Sequence, residues 1–153
     1  MTDRPADLLA MQQALALAER AGEQGELPIG AVVIDDRGRV VGAAGNARES
    51  SHDPTAHAEI LALRQAGAQV GNWRLHDHTL VVTLEPCPMC AGAAVQARVA
   101  RVVFGAWNPE YGAAGSHWDL LRDRRLSHRP EVVQGVLAEE CGTLVREFLA
   151  QRR

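Results

Sequence analysis

The stretch Thr83-Leu84-Glu85-Pro86-Cys87-Pro88-Met89-Cys90-Ala91-Gly92-Ala93 decides how the chain is read. Ahead of it, Leu80 to Thr83 is an apolar, β-branched run that reads as a strand. After Pro86, Ala91, Ala93, Ala94, Val95 and Ala97 read as a helix whose first turn carries both thiols. Cysteines at i and i+3 share one helical face, and the positive end of the helix dipole with its unpaired amides favours thiolate over thiol. Thiolates in that position are zinc ligands. Taken alone, the pair also fits a structural metal clip or a redox pair. A structural zinc site normally completes four protein ligands, and the one other cysteine, Cys141, lies far along the chain, where it reads as a small buried hydrophobe. The best upstream candidate is His57, in Asp53-Pro54-Thr55-Ala56-His57-Ala58-Glu59-Ile60, at the start of another helix. Three protein ligands with one open position is the catalytic pattern.

Glu59 follows His57 by two residues. On an ideal helix such a pair diverges by about 200°, so both would not naturally hold one ion, and Glu59 reads as a proton carrier. Zinc lowers the pKa of a bound water to about 7, and a carboxylate within reach can take its proton and return it to a leaving group. That is hydrolytic chemistry.

Working outward, Leu8, Met11, Leu15, Ala18 and Ala21 recur at helical spacing and predict an amphipathic helix from about Asp7 to Ala21, stopped at Gly22. Ala31 to Ile34 pairs with Val40 to Ala43 across Asp35-Asp36-Arg37-Gly38, an antiparallel hairpin. Gly45 to Asp53 is an irregular loop that delivers Asn46 and His52 near the next helix, which runs from about Thr55, its N-cap, to Ala66. Ile60, Leu61 and Leu63 form the apolar face of that helix, and Gly67 and Gly71 mark its end. Leu80 to Thr83 and Val102 to Phe104 are both nearly all apolar, as strands buried on two faces are, and the helix between them makes a parallel, right-handed crossover. Asn108 to Ser116 is Gly-rich and flexible, Trp118 to Leu121 forms a turn of helix, and Glu131 to Val136 is a last short strand. Leu137, Cys141, Leu144, Val145, Phe148 and Leu149 define a final amphipathic helix. This order predicts an α/β fold, a three-layer α/β/α sandwich around a central mixed sheet of about five strands, in one domain over 1–153.

The formal net charge of −3 argues against a strongly basic nucleic-acid coat, although a net charge averages over faces. Three cysteines, two of them in the motif, offer no disulfide framework and fit a reducing cytoplasm. The opening segment, with Asp3 and Asp7 beside Arg4, is expected to be neither a signal peptide nor a membrane span. His52, His76, His78, His117 and His128 read as exposed or capping residues, and Glu85 as structural at a strand end. Arg122, Arg124, Arg125, His128, Arg129, Arg152 and Arg153 are either a phosphate track or a solvated basic face. Trp73 reads as core; Trp107, in the Gly-rich segment, reads as exposed near substrate, where an aromatic can stack on a base.

His57-Ala58-Glu59 followed by Pro86-Cys87-Pro88-Met89-Cys90 resembles the signature of the zinc-dependent nucleobase deaminases. Leu27 to Val32, Asn46, His52 to Ile60, Cys90 to Ala93, Val102 to Ala106 and Gly112 to Ser116 look like the bacterial tRNA-specific adenosine deaminases within that superfamily. The resemblance implies one Zn2+ per chain on His57, Cys87 and Cys90, Glu59 as the catalytic proton shuttle, and Asn46, Ala58, Asn108 and Trp107 as substrate-binding residues, with Asn46 hydrogen-bonded to the base. It further implies conversion of adenosine to inosine at the wobble position of a tRNA anticodon stem-loop, where the unpaired base is easily flipped, and a cytoplasmic homodimer. One place departs from the family pattern. After Ala106, where an acidic residue and often a lysine are expected, the chain has Trp107-Asn108-Pro109-Glu110, and Asn108 is expected to relax the preference for RNA over DNA. Two competing functions remain: a deaminase of free bases or nucleosides, such as guanine or cytosine, and a catalytically silent RNA-binding subunit, whose mark would be loss of Glu59.

Overall fold

A computed structural model describes residues 4–152, so Asp3 and Arg153 lie outside the described residues. The chain forms helix α1 (Pro5–Glu23), strands β1 (Gly30–Ile34) and β2 (Val40–Gly45), a short helix α2 (Arg48–Ser51), helix α3 (Ala58–Val70) and strand β3 (Thr79–Leu84). Helix α4 (Pro88–Gln96), strand β4 (Arg101–Ala106), a 3-10 turn (Leu120–Arg122), strand β5 (Glu131–Val133) and helix α5 (Ala138–Gln151) follow. The five strands lie in the order β2-β1-β3-β4-β5, with β1 antiparallel to both neighbours and β3, β4 and β5 parallel. The expected mixed sheet and α4 crossover are present.

Alternation along the strands divides the core into two layers. Ala31, Val33, Leu80, Val82, Val102 and Phe104 pack with the buried side of α3 and α4. Val32, Ile34, Val81, Val103 and Val133 pack with α1 and Cys141 of α5. Each central strand therefore meets a helix on both sides, which is why β3 and β4 are apolar at almost every position, apart from Thr79, Thr83 and Arg101.

The helices approach the sheet through small residues. α1 buries Ala10, Met11, Ala14, Ala18 and Ala21, while Leu8 is exposed, so its inner face is rotated from the expected Leu8-Leu15 stripe. The cause is Gly30 on β1: a Cβ there would collide with the Ala14 carbonyl. α3 likewise sits on Gly42 of β2 through Ala58, Ala62 and Ala66, and Leu61 is only half-buried.

Several element ends differ from the sequence expectation. α1 begins at Pro5, whose fixed φ suits a first helical position, and continues through Gly22; Gly25, at φ +85, makes the turn. Thr55 caps nothing. Its N–H and hydroxyl both donate to Asp53 Oδ1 at 2.8 Å, and α3 is capped by His57 and ends past Gly67 at Gly71, in the left-handed region. The supposed irregular loop contains α2, which the buried Glu26 carboxylate anchors by accepting the N–H groups of Glu49 (3.1 Å) and Ser50 (2.7 Å). Trp73 is not core. It is 57% exposed, with the Arg74 guanidinium 4.2 Å over its ring, and Leu75 fills the interior instead.

Candidate active site

The antiparallel pairing of β1 with β2 and β3 brings three chain segments to one end of the sheet. These are Leu27 to Gly30 entering β1, Gly45 and Asn46 leaving β2, and Leu84 to Cys87 leaving β3. α3 and α4 both begin here. His57 is the cap of α3, in extended backbone at φ −71 and ψ 151, and Cys87 is the cap of α4, with Cys90 in that helix's first turn after Pro88. His57 Nδ1 lies 3.6 Å from Cys87 Sγ and 3.4 Å from Cys90 Sγ, and all three donor atoms fall within 4.8 Å of one another. Because His57 stands outside the helix, the angular divergence from Glu59 expected on an ideal helix does not arise, and both side chains line the same cavity. The three-donor group nonetheless excludes Glu59, and one imidazole with two thiolates is a donor set suited to zinc.

The electrostatics are uneven. A hydrogen bond from Cys90 holds the Cys87 thiol at about 4 against the opposing effect of burial, with His57 helping. Cys90 is pushed far up, first by that hydrogen bond and then by burial. His57 is raised, chiefly by its contact with Cys87. Glu59, 4% exposed, is pushed up to about 7 by burial, which sets its carboxyl near the pH at which a proton shuttle works in both directions.

These residues face a cavity of about 640 Å³ whose wall includes Asn46, Ala58, Glu59, Cys87, Asn108 and Tyr111. Asn46 is buried, its N–H donates to Ile29 O at 3.0 Å, and its Oδ1 has no partner among the described residues. Trp107 is not on this wall: its ring packs edge-on against Phe104, 5.0 Å between centroids, and over Gly115. His52 ends α2 at φ +51, exposed and off the wall. Two members of the basic cluster pair with acids, Arg122 with Asp119 and Arg125 with Asp123, while Arg129 donates to the carbonyls of Arg124 and Leu126 and Arg152 lies over the Phe148 ring.

Glu85 does more than end a strand. It is 2% exposed and accepts the N–H groups of Asn108 (2.9 Å), Ala114 (3.0 Å) and Ser116 (3.0 Å) and the Ser116 hydroxyl. The Gly-rich segment expected to be flexible is thus tied to the floor of the site. Sequence reasoning missed Arg48 and Tyr111, which also line the cavity; the lone tyrosine beside the glycines was the available signal for the second.

Residues 5–106 match the model of the cytidine and deoxycytidylate deaminase zinc-binding region. The chain belongs to this deaminase family. It is 48% identical over 147 residues to the tRNA-specific adenosine deaminase of Bacillus subtilis, covering 96% of this deaminase and 91% of that one. Its fold is similar to a solved structure from a study of A-to-I editing by tRNA:A34 deaminases at the wobble position of transfer RNA, with TM-score 0.86, 41% identity, and 89% and 98% of the two chains covered. It is also similar to a guanine deaminase from Nitrosomonas europaea, with TM-score 0.81, 25% identity, and 98% and 87% covered. The five-stranded mixed sheet and the zinc-type donor set are thus those of a zinc-dependent deaminase.

Proposed function

We propose that this chain, acting as a single deaminase domain, converts adenosine to inosine at the wobble position of a tRNA anticodon loop. The observation that carries the reading is the grouping of His57, Cys87 and Cys90 as metal donors in one cavity with the buried Glu59 carboxyl and the unpartnered Asn46 Oδ1. Relatives 48% and 46% identical to it carry the adenosine name, and the guanine deaminase is 25% identical.

His57, Cys87 and Cys90 would hold the zinc. Bound there, it supplies a Lewis acid that makes water nucleophilic near neutral pH. Hydrolysis at C6 forms one C–O bond, breaks one C–N bond, consumes one water and releases ammonia. Glu59 takes a proton from the water, delivers it to the ring nitrogen and then moves the second to the departing amine. Asn46 orients the base through Oδ1, which accepts an N–H of the exocyclic amine, and Ala58 packs against the ring from the cavity wall. Asn108 and Trp107 act from the loop, Asn108 at the cavity and Trp107 on its outer side.

The partners in this reading are a tRNA anticodon stem-loop and a second copy of the chain. The exposed Trp73, beside a groove of about 870 Å³ between α3 and α4, offers apolar surface for a homodimer. No helix of the described residues is long and apolar enough to cross a membrane, and we place the enzyme in the cytoplasm with its substrate.

The test is adenosine-to-inosine conversion on a short RNA stem-loop with an unpaired adenosine at the wobble position, beside a DNA hairpin, free adenosine, guanine and cytosine. Conversion of the stem-loop and of no free base is expected. Conversion of a free base alone keeps the hydrolytic site and overturns the substrate. A background rate on the DNA hairpin removes the proposed relaxation by Asn108.

A further inference from the structure

We propose that Tyr111 is a base-stacking residue, whose ring at the mouth of the Glu59 cavity packs on a nucleotide adjacent to the reacting adenosine. The proposal rests on the reading of this chain as an editor of a tRNA loop. It deepens that reading by assigning where the substrate beyond the reacting base is held.

Tyr111 lines the cavity that holds Glu59 and is nevertheless 63% exposed. Its backbone is held in place. Asn108 Oδ1 accepts the Tyr111 N–H at 3.2 Å, Asn108 O accepts the Gly112 N–H at 2.7 Å, and Asn108 N–H donates to the buried Glu85 at 2.9 Å. A buried carboxylate therefore anchors the turn, and the turn carries an aromatic ring outward at the rim. Asn108 Oδ1 helps to shape that turn, which leaves the Tyr111 ring free to meet substrate beyond the reacting base.

Charge points the same way. Between Trp107 and Ser116 the one charged side chain is Glu110, which is exposed, so the segment has no cation with which to neutralise a phosphate. Its means of holding a nucleic acid is a π face, which accepts any base and needs no complementary charge. At the cavity Trp107 does not provide it, since its ring, 43% exposed, packs edge-on against Phe104 and over Gly115 and lies off the wall. The cation on the wall is Arg48, contributed by α2.

Stacking on a neighbour acts on binding of the loop and leaves the proton transfers alone. Tyr111→Ala should raise KM for the RNA stem-loop roughly 5- to 150-fold, the span of one lost base–aromatic stack, with kcat within about twofold and Tyr111→Phe close to wild type. The stem-loop is then prepared with an abasic nucleotide immediately 5′ or immediately 3′ of the adenosine. On one of these two substrates wild type and Tyr111→Ala should become equal, because the partner of the ring is gone. Tyr111 is the sole tyrosine, so 3-fluorotyrosine labelling of a Glu59→Ala chain gives one 19F resonance, which should move on addition of the intact stem-loop and not of that abasic one. A Tyr111→Ala protein with wild-type KM, or a penalty that persists on both abasic substrates, overturns the proposal. A wild-type chain that converts no stem-loop overturns the tRNA reading itself, and the stacking role with it.

Discussion

The Glu85 carboxylate accepts the backbone N–H of Asn108 at 2.9 Å, joining the end of β3 to the loop that follows β4. The same carboxylate accepts two further N–H groups and a hydroxyl from residues 114 and 116, so one buried side chain shapes the segment 108–116 beside the site. Gly112 lies against it: a Cβ there would collide with the Glu85 carboxylate and the Asn108 carbonyl.

Glu85→Gln turns an amide NH2 toward groups that are themselves donors and should cost about 1–3 kcal/mol of stability. Gly112→Ala should weaken the fold in the same direction by displacing the carboxylate. Urea denaturation reads both, as a lowered midpoint with an unchanged slope. A Glu85→Gln chain with the wild-type midpoint would show that the negative charge is not what holds the segment.

Glu59 is absent from the metal-donor group, so its removal should separate chemistry from metal content. Glu59→Ala is expected to lose about 10²–10⁴-fold or more in kcat, the contribution of a positioned proton carrier, with zinc per chain unchanged. Normal turnover in that variant would refute the mechanism.

His57, Cys87 and Cys90 should behave as a unit. Each single alanine variant is expected to fall below one zinc per chain by elemental analysis and to unfold at a lower temperature, because a metal bound by the folded chain alone stabilises it. Prolonged chelation of the wild type should reproduce both effects. Full zinc content in any one variant would remove that residue from the ligand set.

Glu26 predicts an acid limb. Burial pushes its carboxyl up, yet the N–H groups of Ser50 and Glu49, the Ser50 hydroxyl and the charge of Arg48 together hold it below its ordinary value of 4.5. A carboxyl with a lowered folded pKa binds protons more weakly folded than unfolded, so its stabilisation is complete above 4.5 and is lost as pH falls through the folded value. Denaturation midpoints of wild type and Glu26→Gln should therefore differ at pH 7 and converge as the pH is lowered below about 4.5. A difference that stays constant down to pH 3 would mean that the anchor to α2 does not depend on the ionised carboxylate.

The elements set by local pattern were legible in the chain. β3 and β4 announce themselves as nearly all-apolar runs, the hairpin by its Asp-Asp-Arg-Gly turn, and α4 by the small apolar residues after Pro86, although Cys87 caps that helix where the sequence placed it in the first turn. The donor set was legible as well, because imidazole and thiolate at these spacings have few other uses. Trp73 and the inner face of α1 were misread for one reason. An apolar side chain reports a preference for burial and says nothing of whether space remains at its position, and at these positions Leu75 and a row of alanines over glycine occupy the space.

What the sequence determined by itself was the kind of chemistry: two motifs whose residue types bind zinc and carry a proton, on helices whose periodicity requires a sheet to cover. The tertiary structure alone decided how those parts meet. His57 and Cys87 are caps of two different helices, and the antiparallel pairing of β1 with β2 and β3, with β4 parallel to β3, brings Asn46, Glu59 and Tyr111 to the same cavity. It also decided that a glutamate within the metal motif would organise a loop more than 20 residues away. Contacts between residues far apart in the chain depend on strand order and register, which no local spacing encodes.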